Sequence, residues 1–342
     1  MRYLGIVLLS CGLAAAAYFA LAIALPPAPI AAEYWVREMI VVKRSIAREH
    51  AGRRKLIVAS GSATLFGVDT AQLGRELGLP AINLGLHAAM SLERILGEAA
   101  HAAAPGDAVI LALEPEYYCA RGPTAWQARN AIAWDHEQWS AWSTRERIEA
   151  TAVLGPAALI EIAAAKALDA PSSWLLGRRI AALDDARVLA TFAAAPEPER
   201  FAYSAYHLDA LGNMRRIEGS RFVGRPKPAD ADTAVCPDSI RMLRAFVSRM
   251  RRQGVAVRFA HSPYVLDAQL PMERVEAASR KFVDELSAVA PVLDSRKDML
   301  FARALFFDTD SHLNALGREI RTRRLAQAIQ ADRVLRVHLG MP

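Results

Sequence analysis

The stretch Lys55–Gly67, KLIVASGSATLFG, constrains the fold of this chain most. It reads as a buried strand over Leu56–Ala59 running into a tight small-residue turn, Ser60-Gly61-Ser62-Ala63. An apolar run then leads toward a helix around Asp69–Leu77. Open α/β sheets place their chemistry in the crevice outside the carboxyl ends of their strands. A serine there meets the backbone N–H groups of the turn and of the following helix terminus, which stabilise developing negative charge. Ser62 is therefore the candidate nucleophile. Taken alone, the stretch also fits a Gly/Ser turn without chemistry.

The alternation around it sets the fold class. Glu33–His50 reads as a helix with Trp35, Met39, Ile40 and Ile46 on one side. The strand Lys55–Ser60, a helix Thr70–Leu77, a short strand Pro80–Leu84 ending in Gly85 and a helix Ala88–Ala104 follow. Pro105-Gly106 closes that helix, and Asp107–Glu114 is a continuous apolar strand of the central parallel kind. Three strand–helix alternations in a row predict α/β architecture with a doubly wound parallel sheet.

Residues from about 115 to 236 interrupt the pattern with a largely helical insertion. It holds Trp126, Trp134, Trp139 and Trp142, which suit sugar stacking or, more commonly, core packing. Ile148–Leu168 is a strongly apolar helix. Pro156, Glu161 and Lys166 speak against a second membrane span and for a buried or membrane-apposed helix. A helix Arg178–Ala194, a turn Asp209–Asn213 flanked by short strands and a Pro- and charge-rich loop Arg221–Ala234 follow. The alternation then resumes with helix Pro237–Arg252, strand Val255–His261, helix Met272–Ala288, short strand Val292–Asp294 and helix Leu316–Ala331. This predicts one α/β domain over 55–342 split by the insertion, not two independent domains.

The amino terminus points to a membrane. Tyr3–Leu25 is a run of about 23 residues without a charge, long enough to span a bilayer, and Pro26, Pro27 and Pro29 break it. We read 1–27 as a transmembrane anchor and 28–54 as a connecting helix. A cleaved signal has only a weak small-residue site at Ala28–Ala32. A lipoprotein signal at Leu8–Cys11 conflicts with the apolar run beyond Cys11. Arg37, Lys43, Arg44 and Arg48 after the segment outnumber Arg2 before it, which by itself favours a cytoplasmic domain. The net charge of +6 is mostly scattered arginine, including Arg321, Arg323 and Arg324, read mainly as solvated helix faces. No basic block interleaves with aromatics, so nucleic-acid binding is not supported. Anionic lipid or an acidic polymer fits the charge better. The three cysteines lack metal-site spacing, and Cys119 and Cys236 can pair if the domain is extracytoplasmic.

Near the carboxyl end stands Asp308-Thr-Asp310-Ser-His312-Leu-Asn314. A histidine before a helix, with carboxylates two and four residues upstream, suits a general base whose carboxylate fixes the imidazole tautomer. Serine needs such a partner, its hydroxyl being a weak nucleophile at neutral pH. Asp310 or Asn314 can instead cap the helix. Asp308, Asp310 and His312 lack a further metal ligand.

Together, Ser62, Gly85 and the His312 loop resemble the SGNH/GDSL hydrolase-like superfamily over about residues 55–114 and 237–331. GSATLFGVD, PAINLGLH, PGDAVILALEPEYY and FFDTDSHLNALGRE look like its membrane-anchored branch. That branch includes proteins similar to those of teichoic-acid D-alanyl transfer and alginate O-acetylation. The resemblance implies a flavodoxin-like fold, no cofactor and a catalytic set of Ser62, His312 and Asp308, with Asp310 as alternative acid. It implies an oxyanion hole from the N–H groups of Ser62 and Gly85. His87 and Glu114 are further substrate-binding candidates, and Glu116 and His261 lie at strand ends where ligand contacts collect.

The first block reads Ser-Gly-Ser rather than Gly-Asp-Ser. Leu113-Glu114-Pro115-Glu116 stands where the third block would supply an asparagine, a donor worth about 3 kcal/mol in a transition state. The expected protein is a single-pass, inner-membrane serine acyltransferase or esterase with its domain in the periplasm, acting on a cell-envelope or exported glycan. It would work beside a membrane-bound O-acyltransferase. The alternative is a non-catalytic binding partner of that enzyme.

Overall fold

The computed structural model describes residues 2–23, 28–119, 122–167, 183–267 and 269–341. In chain order its helices are α1 Arg2–Ile23, α2 Tyr34–Glu49, α3 Ser62–Gly67, α4 Thr70–Leu77, α5 Leu92–Ala102, α6 Ala125–Ala133 and α7 His136–Ala141. They continue with α8 Thr144–Ala167, α9 Asp185–Ala194, α10 Pro237–Arg252, α11 Met272–Ser287, α12 Ala315–Ala331 and α13 Arg333–Leu339. The strands are β1 Leu56–Ser60, β2 Ala81–Gly85, β3 Ala108–Leu111, β4 Ala256–Phe259, β5 Tyr264–Leu266 and β6 Leu300–Ala302.

The chain divides into two compact units. One comprises Met1–Arg37 and Arg121–Asp184; the other comprises Glu38–Ala120 and Asp185–Pro342. The expected insertion is therefore cut in two. Its first part joins the amino terminus because Ala28 and Ile30 pack with Ala131, Ile132, Trp139, Trp142, Leu159 and Ile162. The Ala28 amide donates to the Ile132 carbonyl, and Asn130 Oδ1 accepts from the Glu33 amide at 2.9 Å. Trp139 and Trp142 meet edge to face inside this cluster, so these tryptophans are core. Its second part joins the sheet unit through the Asp209–Asn213 turn and a disulfide between Cys119 and Cys236.

The second unit is α/β. A four-stranded parallel sheet has the order β2-β1-β3-β4, and β5 pairs with β6 in a separate parallel ribbon. Residues alternate across a strand, so Leu56, Val58, Ala108 and Ile110 share one face. They pack with Leu73 and Leu77 of α4, with Leu325 and Ile329 of α12 and with Leu335 and Leu339 of α13. α5 packs on β1 and α10 on β4, and these two helices also touch each other. β3 is shorter than the expected Asp107–Glu114: its ladder to β1 ends with the Ala112 amide donating to the Ala59 carbonyl at 3.1 Å. Val292–Asp294 amounts to a single bridge, Phe259 to Val292, and the strands expected around Asp209–Asn213 to one bridge, Leu208 to Met214. Of the expected helix Arg178–Ala194, residues 178–182 lie outside the described residues.

Candidate active site

The expected Ser60–Ala63 turn is the start of a helix, for β1 ends at Ser60 and α3 begins at Ser62. Four amides open this helix and need acceptors. Glu114 takes two of them, Oε2 accepting from Gly61 N at 3.1 Å and Oε1 from Ala63 N at 2.8 Å. Ser60 Oγ accepts from Thr64 N at 3.1 Å. Ser62 keeps the remaining amide, and neither it nor the Ser62 hydroxyl has a hydrogen-bond partner among the described residues. Glu114 from the segment after β3 and the local Ser60 thus satisfy every amide of the helix terminus except that of Ser62.

One helical turn along α3 from Ser62 lies Phe66, and positions four apart share a helix face. The imidazole of His312 stacks on the Phe66 ring, centroids 4.0 Å apart and planes 3° from parallel. Its Nδ1 meets Asp308 Oδ1 at 2.7 Å. Asp308 therefore holds His312, while Asp310 Oδ2 accepts from the Lys227 amide at 2.9 Å and faces away from that role. The second Asp308 oxygen accepts from the Tyr203 hydroxyl at 2.6 Å. Burial alone would push the Asp308 carboxyl up. The hydrogen bond and charge of His312, joined by the Tyr203 hydrogen bond, hold it below the usual carboxylate range. Phe201, Tyr203 and Phe307 complete an aromatic wall around Phe66. Arg221 adds its guanidinium over the Phe307 ring, 5.2 Å from the centroid.

The loop after β2 supplies the opposite side. Gly85 does not offer the oxyanion N–H expected of it, since that amide donates to Asn83 Oδ1 at 2.8 Å. Its lack of a side chain serves packing: a Cβ there would sit 2.1 Å from Leu65 N. The chain comes back to the start of α3 three residues later. Ala88 Cα lies 3.0 Å from where a Gly61 Cβ would project, and the Ala88 amide has no partner among the described residues. Tyr117 donates to the Ala88 carbonyl at 2.8 Å and fixes this turn. His87 is half-buried beside it, its Nδ1 accepting from Ala89 N at 3.2 Å. Burial, then the charge of His312, lowers the His87 pKa to about 4, so this ring is neutral near pH 7.

Glu114 is a structural cap and not a ligand contact, because both carboxylate oxygens are committed to α3 and the residue is buried. Burial raises its pKa against the lowering by the α3 amides. Glu116 forms the ion pair with Lys227. His261 is also removed from the crevice, buried with Nδ1 at 2.9 Å from Asp294 Oδ1.

Two buried basic side chains brace the site. Arg321 is no solvated helix residue: it is 2% exposed, and its Nη1 donates to the Ala63 carbonyl at 2.7 Å. Lys43 Nζ donates to the carbonyls of Asn83 and Gly212 at 2.8 and 2.9 Å. Asn83 Nδ2 in turn reaches the carbonyls of Thr64 and Val68 at 2.9 and 3.1 Å, fastening α3 to β2. A polar residue inside the apolar run PAINL was the visible sign of Asn83. The spacing of Phe66 from Ser62 was the visible sign of the stack. Tyr203, 105 residues from Asp308, left none.

No group of histidines, cysteines and carboxylates able to hold a metal occurs among the described residues. Compared with known protein families, curated proteins and solved structures, the chain matches none.

Proposed function

We propose that this chain is a membrane-anchored serine acyltransferase or esterase of the SGNH hydrolase-like type, acting on a cell-envelope or exported glycan. The observation that carries the reading is the Asp308–His312 pair stacked on Phe66, on the helix that Ser62 begins. In this reading Ser62 Oγ attacks the acyl carbonyl while the imidazole of His312 takes its proton. Asp308 holds the Nδ1–H and stabilises the imidazolium. The tetrahedral oxyanion faces the amides of Ser62 and Ala88 in place of Gly85. The imidazolium then returns its proton to the leaving alcohol, and a glycan hydroxyl or water accepts the acyl group from Ser62.

The Cys119–Cys236 disulfide favours an oxidising compartment, and α1, whose described side chains are exposed and apolar over Leu4–Ala17, favours an anchor. An inner-membrane location with the α/β unit in the periplasm accommodates both. The test is to incubate the detergent-solubilised full chain with an activated acetyl ester and to seek acetyl-Ser62 by mass spectrometry. Acetylation of Ser62 that disappears in His312→Ala supports the reading. An unmodified Ser62 in a folded chain, with glycan modification intact in cells carrying Ser62→Ala, overturns it.

One observation favours the second reading, a non-catalytic partner of a membrane O-acyltransferase. Glu114 fills the place of the third-block asparagine with a buried acid turned onto α3. Glycan binding and modification that survive Ser62→Ala would select that reading.

A further inference from the structure

α8 changes character along its length. Its first turns carry Arg145, Glu146, Arg147 and Glu149, and Gly155, with φ 74° and ψ 169°, breaks the helix before Pro156. Beyond Thr151 the exposed positions are Ala152, Val153, Pro156, Ala157, Ile160 and Ala164, every one apolar. Beyond the break, Ala157, Ile160 and Ala164 form a stripe at helical spacing. Ile160 is 70% exposed, while Leu159, Ile162 and Ala165 on the other side pack into the unit's core. An exposed, uncharged stripe backed by a packed core is a docking surface.

Its position within the unit says what covers it. α1 packs against α8, and α1 presents Leu4, Ile6, Val7, Leu8, Leu9 and Leu13 outward. Two touching helices with apolar exposed faces share one apolar environment. The stretch Thr144–Lys166 is also apolar and long enough to cross a membrane. The sheet forbids a single crossing. β3 and β4 pair in one sheet, so Glu38–Ala120 and Asp185–Pro342 lie on the same side of any bilayer. A crossing by α8 would need a return within residues 168–182. Those 15 residues include Asp169, Arg178 and Arg179, too few and too charged for a span. Glu161, paired with Arg129 at 3.0 Å, stands midway along the second half of α8 and does not suit the bilayer centre.

We propose that the second half of α8, Pro156–Ala167, is an interfacial membrane helix. It lays Ala157, Ile160 and Ala164 into the boundary between headgroups and acyl chains of the membrane that α1 enters. The partner is the lipid surface itself, and the proposal rests on the membrane placement of α1 given above. The anchored unit then grips the bilayer at two points, which limits its rotation about α1.

The test uses the full chain in phosphatidylcholine–phosphatidylglycerol vesicles, with Cys11→Ser to remove the free thiol. Ile160→Cys, Leu8→Cys and Arg145→Cys are each labelled with an environment-sensitive fluorophore. Quenching by iodide in water is compared with quenching by lipids bearing a doxyl group near the headgroup or near the chain end. The expected result is that the Ile160 label loses most of its fluorescence to the headgroup-proximal doxyl lipid and little to iodide, with Arg145 the reverse. Iodide quenching at Ile160 with lipid quenching at Leu8 overturns the proposal and leaves the anchor standing. Iodide quenching at both overturns both. Strongest quenching of Ile160 by the chain-end doxyl lipid overturns the interfacial placement in favour of deep insertion.

Discussion

The His312 imidazole lies flat on the Phe66 ring, 4.0 Å between centroids. Because Phe66 and Ser62 belong to one short helix, the ring that carries His312 is tied to Ser62, the candidate nucleophile, by backbone. Phe66→Leu keeps apolar bulk and removes the flat platform. Stacked aromatic pairs contribute about 0.5–1.5 kcal/mol beyond burial, so Ser62 acylation should slow by roughly threefold to tenfold. Rapid-mixing mass spectrometry of the acyl adduct measures this, and an unchanged rate would remove Phe66 from the site.

Tyr203 steadies the acid. Its hydroxyl is one of the groups holding Asp308 below the ordinary 3.8 against the upward push of burial. Tyr203→Phe should therefore raise the Asp308 pKa, as read by carbon NMR of the labelled carboxyl. A lowered folded-state pKa contributes stability that is present above 3.8 and lost as pH falls through the folded value. The variant should lose part of that contribution at neutral pH. An unmoved Asp308 titration would contradict the coupling.

Gly85→Ala separates packing from catalysis. Alanine keeps the N–H, so an oxyanion donor would survive, but its Cβ would meet Leu65 N at 2.1 Å and Leu65 Cα at 2.7 Å. Backbone cannot yield as a flexible side chain does, and overpacking of this kind costs about 3 kcal/mol or more. A large fall in thermal midpoint is expected, and wild-type stability would refute the close approach.

Glu114→Gln keeps one carbonyl oxygen for the α3 amides and surrenders the other. Loss of one cap interaction costs about 1 kcal/mol. Burial raises the Glu114 pKa above 4.5, so its contribution to stability is present in acid and lost as pH rises through the folded value. The stability gap between wild type and variant should shrink as pH rises above 4.5 in urea titrations. A gap that widens with pH would reverse the assigned sign.

Lys43 gives the opposite slope. Burial lowers its pKa from 10.5 to about 7, with Asp209 opposing. A base with a depressed folded pKa contributes stability present above the unfolded value and lost as pH falls through the folded one. Between pH 7 and 10.5 this group should add stability as pH rises, by at most about 1.4 kcal/mol per unit. Lys43→Met should flatten that slope and strand two carbonyls, at a cost of about 1–3 kcal/mol each. An unchanged slope would exclude Lys43 as its source.

The sequence alone determined the parallel sheet, since continuous apolar strands between helices can be buried only with helices on both faces. It also determined Ser62, His312 and Asp308 as candidates, because a strand-end serine and a carboxylate four residues before a histidine are local patterns. Local pattern failed where partners come from far along the chain. Only the tertiary structure shows Asp308 against the His312 imidazole while Asp310 meets the Lys227 amide, a partner 83 residues away. It moved Glu114 from ligand contact to helix cap, gave the Gly85 amide to Asn83 and brought Ala88 against Gly61. It divided the expected insertion between two units. Each decision turned on which buried polar group found which acceptor, and burial makes an unpaired group costly wherever in the sequence its partner lies.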